Sequence, residues 1–310
     1  MEMTKKICRT AEKRNFGKTI VAFFLLCASV ASSHAQTVSD RQGLAEQSAA
    51  AKAKGHVYWT NSGNGSVGRA TTTGTRVSEK FIVLDTTGGA GLTVNKNYIY
   101  WTSANGGTAT TIARANLNGT GVSQSFITGA QNPCGVAVDS SYIYWAGDVG
   151  TSVGRANLDG SGVNQDFITT GNGVCGVAVT SKYIYWANYE THDIGRAKLD
   201  GSGVNDDFVS GCGSGIAIEG KYIYFTATSG TAIGRANIDG TDVNTSFITG
   251  LNGEIAFLAA DSNYIFWADW GSGGSGTTIG RANLDGTEPN QSFIKGTKGG
   301  FGIAVTGGNP

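Results

Sequence analysis

One unit of about 42 residues repeats six times between residues 56 and 305, and no other feature of the chain limits its fold so tightly. An aromatic strand recurs as HVYW (His56 to Trp59), YIYW (Tyr98 to Trp101, Tyr142 to Trp145 and Tyr183 to Trp186), YIYF (Tyr222 to Phe225) and YIFW (Tyr264 to Trp267). The last residues of these strands stand 42, 44, 41, 39 and 42 positions apart. After each comes a Gly/Ala-Arg-Ala segment carrying Arg69, Arg114, Arg155, Arg196, Arg235 or Arg281. A turn dipeptide follows: Asn118-Gly119, Asp159-Gly160, Asp200-Gly201, Asp239-Gly240 or Asp285-Gly286, with Thr73-Gly74 in the first copy. A short strand around Phe81, Phe126, Phe167, Phe208, Phe247 or Phe293 ends the unit. Between units lies a small apolar strand, of the type GVAV from Gly135 or GIAI from Gly215.

The pattern predicts four strands per unit. Asn-Gly and Asp-Gly pairs favour a two-residue hairpin with positive φ at both central residues, which makes the third and fourth strands antiparallel neighbours. Successive side chains of a strand point to opposite faces, so YIYW is apolar on both sides and needs cover on both. Radial stacking of sheets supplies it and leaves only short protected edges. The expected fold is therefore all-β, a six-bladed β-propeller of four-stranded antiparallel blades. The first recognisable strand is of the second type and the last of the first type, so the C-terminal strand is expected to join the N-terminal blade and close the ring. Glycine at 48 residues with only 3 prolines suits many short strands and tight turns, while 6 Trp, 11 Tyr and 13 Phe exclude a disordered chain.

The combination YW[TA]-x, IGRANLDG, FI and GVAVD resembles the YWTD repeat of low-density-lipoprotein-receptor-type propellers, over residues 56–305. The resemblance implies the propeller fold. The acidic fourth position of that motif stands only as Asp269, against Asn61, Ser103, Gly147, Asn188 and Ala227 in the other copies, so neither the family's interblade hydrogen-bond ring nor a ligand site carries over.

Residues 1–35 read as a signal peptide: a basic segment with Lys5, Lys6, Arg9, Lys13, Arg14 and Lys18, an apolar run from Ile20 to Val30, and small residues Ser33 and Ala35 before Gln36. That run is about half the roughly 20 residues a bilayer span needs, so no membrane span is expected after cleavage. Residues 36–54 read as a flexible tether, 55–306 as the propeller and 307–310 as a tail. The expected location is secreted or periplasmic. Of 23 basic and 23 acidic residues, six basic and two acidic fall in the leader, leaving a mature charge of about minus four. That sign gives no electrostatic drive toward nucleic acid or anionic lipid.

Positions that agree across six copies build blades, and the six arginines belong to that class. Positions that differ and share one rim are the candidates for binding. The loops from second to third strand and from fourth strand to the next blade share the rim designated the top, where rigidly mounted loops frame the channel mouth. The unusual residues there are Asp148, Tyr189, Glu190, His192, Asp193, Glu254, Asp269, Trp270 and Phe301. Tyr189 to Asp193 combines an aromatic ring, two carboxylates and a histidine, although a solvated turn would explain it too. His56 takes the place of Tyr98 in the repeat and reads as a strand residue. Trp270 is either an exposed stacking platform or a ring folded over its blade.

Cys134, Cys175 and Cys212 remain after processing. All three are expected at the mouth. Cys134 and Cys175 sit at one place in adjacent blades, and a disulfide with one spare thiol fits an oxidising compartment. The other reading, a soft-metal site, lacks C-x-x-C spacing.

The sequence asks for no metal or cofactor in the reading it favours: a binding or scaffold module that holds a protein, peptide or glycan ligand at the top rim. The alternative is a propeller enzyme working in the channel, a metal-dependent lactone hydrolase or a virginiamycin B lyase-like protein. Such chemistry needs converging carboxylates, amides or histidines, and the set available is thin.

Overall fold

The computed structural model describes residues 55–85, 88–103, 110–147, 151–171 and 173–307. The leader, the tether, most of the tail and Asp148 lie outside them. The described residues form an all-β, six-bladed propeller of four-stranded antiparallel blades, with no helix among them. Blade 3 shows the plan: Pro133–Val138 is innermost, then Tyr142–Gly147, Ser152–Asn157 and Asn164–Thr169 outermost. Blade 2 starts at Gly89, blade 4 at Val174, blade 5 at Cys212 and blade 6 at Ile255. Blade 1 combines both ends of the chain. Its inner strand Gly300–Val305 pairs with His56–Asn61 in the register Val57 to Val305 and Trp59 to Ile303.

The core lies between blades. Tyr100, Ile112 and Ile127 of blade 2 pack with Val138, Ile143 and Trp145 of blade 3 in one buried cluster, and other seams repeat the arrangement. Ile99 and Tyr100, on opposite faces of one strand, are both essentially inaccessible. That is the double burial the aromatic strand demanded. The indole of Trp145 donates to Gln165 (3.0 Å), Trp186 to Asp206 (3.2 Å) and Trp59 to Glu79 (3.3 Å), each acceptor lying on the outermost strand of the same blade. Blade 5 carries Phe225 in place of tryptophan and Thr245 in place of the acceptor, so the donor and its partner have departed together.

The repeated arginine is a clamp. Arg155 lies over the rings of Tyr142 (4.2 Å) and Phe167 (3.7 Å) and donates to the Leu199 carbonyl of the next blade (3.3 Å). Arg281 reaches Thr72 across the closing seam in the same way. His56 takes the tyrosine's place in blade 1, half-buried with its ring 6.1 Å from Tyr58, and burial, Arg69 and Arg76 hold its pKa below the usual value.

One expectation is corrected. The Asn-Gly and Asp-Gly hairpins do not have positive φ at both residues, since only the glycines do, Gly119 at 85° and Gly160 at 86°. Gly119 N donates to Asn116 O and Asn116 N to Thr120 O, a turn of the αR type followed by a glycine bulge. The Asp159 carboxylate accepts from both the amide and the hydroxyl of Ser161, which holds the aspartate in the ordinary turn conformation. The antiparallel pairing of third and fourth strands is unaffected.

Ring closure rests on one strand. Deleting residues 300–310 is expected to leave the His56–Asn61 edge open and abolish the cooperative thermal transition seen by circular dichroism, with apolar dye binding rising at room temperature.

Candidate functional site

The two loop sets of the top rim are hydrogen-bonded to each other. Ser62 N and Gly63 N donate to Gly299 O and Lys298 O, Trp270 N to Glu254 O, and Gly211 N and Cys212 N both to His192 O. These bonds knit second-to-third loops to interblade connections and fix the rim.

At the neck of the channel the inner strands nearly touch. A Cβ at Gly91 would overlap Cys134 O, and one at Gly135 would overlap Cys175 O. Glycine is needed for this close approach, and each inner strand bulges there. Gly91, Gly135, Gly176, Gly215 and Gly302 hold this level in five blades, while Phe257 holds it in blade 6. One step above stand Ala90, Cys134, Cys175, Ser214, Ala256 and Phe301. Cys134 and Cys175 are joined as a disulfide with Cα atoms 5.0 Å apart. On the arc from blade 6 to blade 1 the rings of Phe257 and Phe301 lie 5.4 Å apart, and Trp270 meets Phe301 edge-on at 5.7 Å and 89°. Threonines tie blades at this level: Thr60 donates to Ala90 O (2.8 Å) and Thr102 to Cys134 O (2.7 Å).

A notch of about 320 Å³ opens on the top rim. Trp270 and Phe301 supply its aromatic lining, and Gly63, Gly89, Gly273 and Gly274 contribute main chain beside the small side chains of Ser62 and Ala90. Of the residues singled out from the sequence, Tyr189, Trp270 and Phe301 pack against one apolar cluster that includes the disulfide cysteines. Trp270 is thus both folded against the blade and open to the notch. Glu254 is exposed and holds Trp270 through its carbonyl. Glu190 is exposed. His192 is exposed with a left-handed φ of 64°, and its visible role is a main-chain one, anchoring Gly211 and Cys212. Asp193 is half-buried at the start of the third strand of blade 4.

Asp269 is half-buried, and burial pushes its carboxyl above the usual range, opposed by the Thr278 hydroxyl and the Gly271 amide.

Cys212 does not face the mouth. It is fully buried in the layer between blades 4 and 5 with Tyr185, Ala187 and Ile194. Blade 5 carries one more bulge residue than blade 4, so Cys212 pairs with Ala227 as Val174 pairs with Asn188, and it corresponds to Val174 instead of Cys175. Burial and the nearby Asp193 charge push its thiol far up.

Sequence reasoning missed the channel itself. A cavity of about 470 Å³ lies below the neck, lined by the inner strands of all six blades, and Asn95, Lys96 and Thr306 at its outer end place its opening on the bottom rim. The sequence signal at its neck end was FLAA standing where other copies keep glycine first. Among the described residues no three of His, Cys, Asp and Glu come together as a group able to hold a metal. No helix among them is long and apolar enough to cross a membrane.

These features define a six-bladed propeller with a stapled neck, a top notch and a bottom cavity. Its sequence matches no known protein-family description and none of the curated proteins at a significant level. Its fold is similar to a chain in the crystal structure of a nidogen/laminin complex, with TM-score 0.66, 16% identity, and 81% of this chain and 98% of that one covered. It is also similar to a gluconolactonase from Xanthomonas campestris, with TM-score 0.57, 15% identity, and 71% and 83% covered. At these identities the likeness concerns the fold.

Three outcomes follow from the site. For a chain beginning at Gln36, thiol titration in denaturant is expected to find one reactive thiol without reductant and three with it; alkylation of Cys212 should require unfolding. Replacing Cys134 and Cys175 by serine should cost about 2–4 kcal/mol for a loop of this length. For Asp269 the raised folded pKa means that ionisation opposes folding: the cost is absent below the unfolded value and grows as pH rises through the folded one. Asp269→Asn is therefore expected to raise the melting temperature at pH 7 and to lose that advantage near pH 3.

Proposed function

We propose that this chain is an exported binding module, a divergent relative of the YWTD-repeat propellers, that holds a peptide or glycan segment of its partner at the top rim. The observation that carries the reading is the notch, where the Trp270 and Phe301 rings stand beside glycine main chain. An aromatic face with glycine main chain beside it suits a ligand that has a flat apolar side and hydroxyl or amide groups on its edges, such as a sugar ring or a short extended peptide. The propeller in the nidogen/laminin complex supports the protein-binding side of this reading by analogy of fold. The leader, with its basic segment, short apolar run and small-residue site, supports export.

The same geometry favours binding over catalysis. Glu254 and His192 are exposed on different loops, and Asp193 belongs to the loop of His192 on another blade from Asp269. A propeller enzyme would draw such groups together around one reacting atom.

Immobilised protein should capture discrete members of defined peptide and glycan arrays, and Trp270→Ala should weaken that capture by about tenfold or more, as loss of a central aromatic anchor does. An unchanged melting curve would show that the ring is intact. Capture that survives both Trp270→Ala and Phe301→Ala would remove the notch from consideration.

A further inference from the structure

We infer that the channel is a second ligand site, opening on the rim opposite the notch, and that it takes a small uncharged molecule with an apolar frame and hydroxyl or carbonyl groups. The inference is independent of the top-rim reading.

Its volume of about 470 Å³ falls within the roughly 300–1,000 Å³ of small-molecule sites. Its walls combine two chemistries. Aliphatic side chains come from every blade, among them Val136, Val138, Ile216, Ile218, Leu258 and Ile303. Main chain comes from the free edges, because each inner strand ends its sheet and pairs on one side only. Asp139 N donates to Tyr142 O, so the register aims the main-chain groups of Ala137 at the partner strand and those of Val136 and Val138 at the channel. Asn95, Thr180, Asp261 and Thr306 make the same bond in blades 2, 4, 6 and 1, which sets the same alternation there. Among the described residues the only ionisable side chain on the wall is the exposed Lys96 at the outer lip. An ion placed inside would lose its hydration without a partner, whereas a neutral molecule with a few polar groups meets amides and carbonyls that want hydrogen bonds.

The closed end belongs to blade 6. Every other blade contributes to the cavity only residues below the glycine level, and Phe257 alone comes from that level. Its ring abuts Phe301, which lines the notch on the other side, so one aromatic pair separates the two spaces. Five copies show that building a blade asks for glycine here. The phenylalanine converts a passage into a blind pocket.

The test uses Nile red, an uncharged solvatochromic dye, with the whole mature chain. Saturable binding of one dye per chain with blue-shifted emission is expected for the unaltered protein and for Trp270→Ala. Ile218→Glu, which sets a carboxylate on the partly exposed wall, should weaken binding by about tenfold or more while the melting curve confirms folding. Phe257→Gly, which opens the blind end, should weaken it in the same direction. Absence of saturable binding to the unaltered chain would overturn the inference. So would binding that is lost in Trp270→Ala and kept in Ile218→Glu, a result that places the dye in the notch and leaves the top-rim reading standing.

Discussion

A strand with apolar side chains on both faces cannot sit at a surface, and everything in this ring follows from that constraint. Each YIYW strand is sandwiched by neighbours of its own kind, so the core is distributed over six seams between blades. The seams are then fastened at two radii. At the outside, arginines stacked on aromatic rings donate to the next blade; at the neck, threonine hydroxyls and a disulfide cross the gap. Between these radii the packing is mostly aliphatic and aromatic, and on the top rim the loops are held to one another by main-chain hydrogen bonds.

Function is read from places where the repeat is broken. Phe301 and Phe257 have no aromatic counterpart in the other copies and Trp270 has only Tyr189 of blade 4, and all three stand on the arc from blade 6 to blade 1. That arc bounds both the notch and the blind end of the channel. The unusual charged stretch on blade 4 behaves differently, since its histidine contributes a strained backbone and an anchoring carbonyl while its tyrosine joins the apolar cluster.

The fold was legible because many positions recur together, and a ring of such units leaves no strand over. Errors arose where a side chain or an insertion altered a local rule. Asp159 bonds to Ser161 and so keeps its turn out of the doubly left-handed form that Asp-Gly suggests. An extra bulge residue in blade 5 moved Cys212 out of the frame that its distance from Gly215 implied. Trp270 and Phe301 were visible as loop exceptions, but their meeting was not, because they lie on different blades with two strands of blade 6 between them in the chain. Phe257 was overlooked since it hides inside a strand, and a cavity formed by six strand edges leaves no motif in any one of them.

The disulfide has a mechanical meaning. It welds the inner strands of blades 3 and 4 at the narrowest point of the ring, where glycines already bring neighbouring backbones into contact. Any widening of that waist has to be absorbed elsewhere on the circumference. Among the described residues the other five seams have no such weld, and the one that carries the phenylalanine stopper is among them.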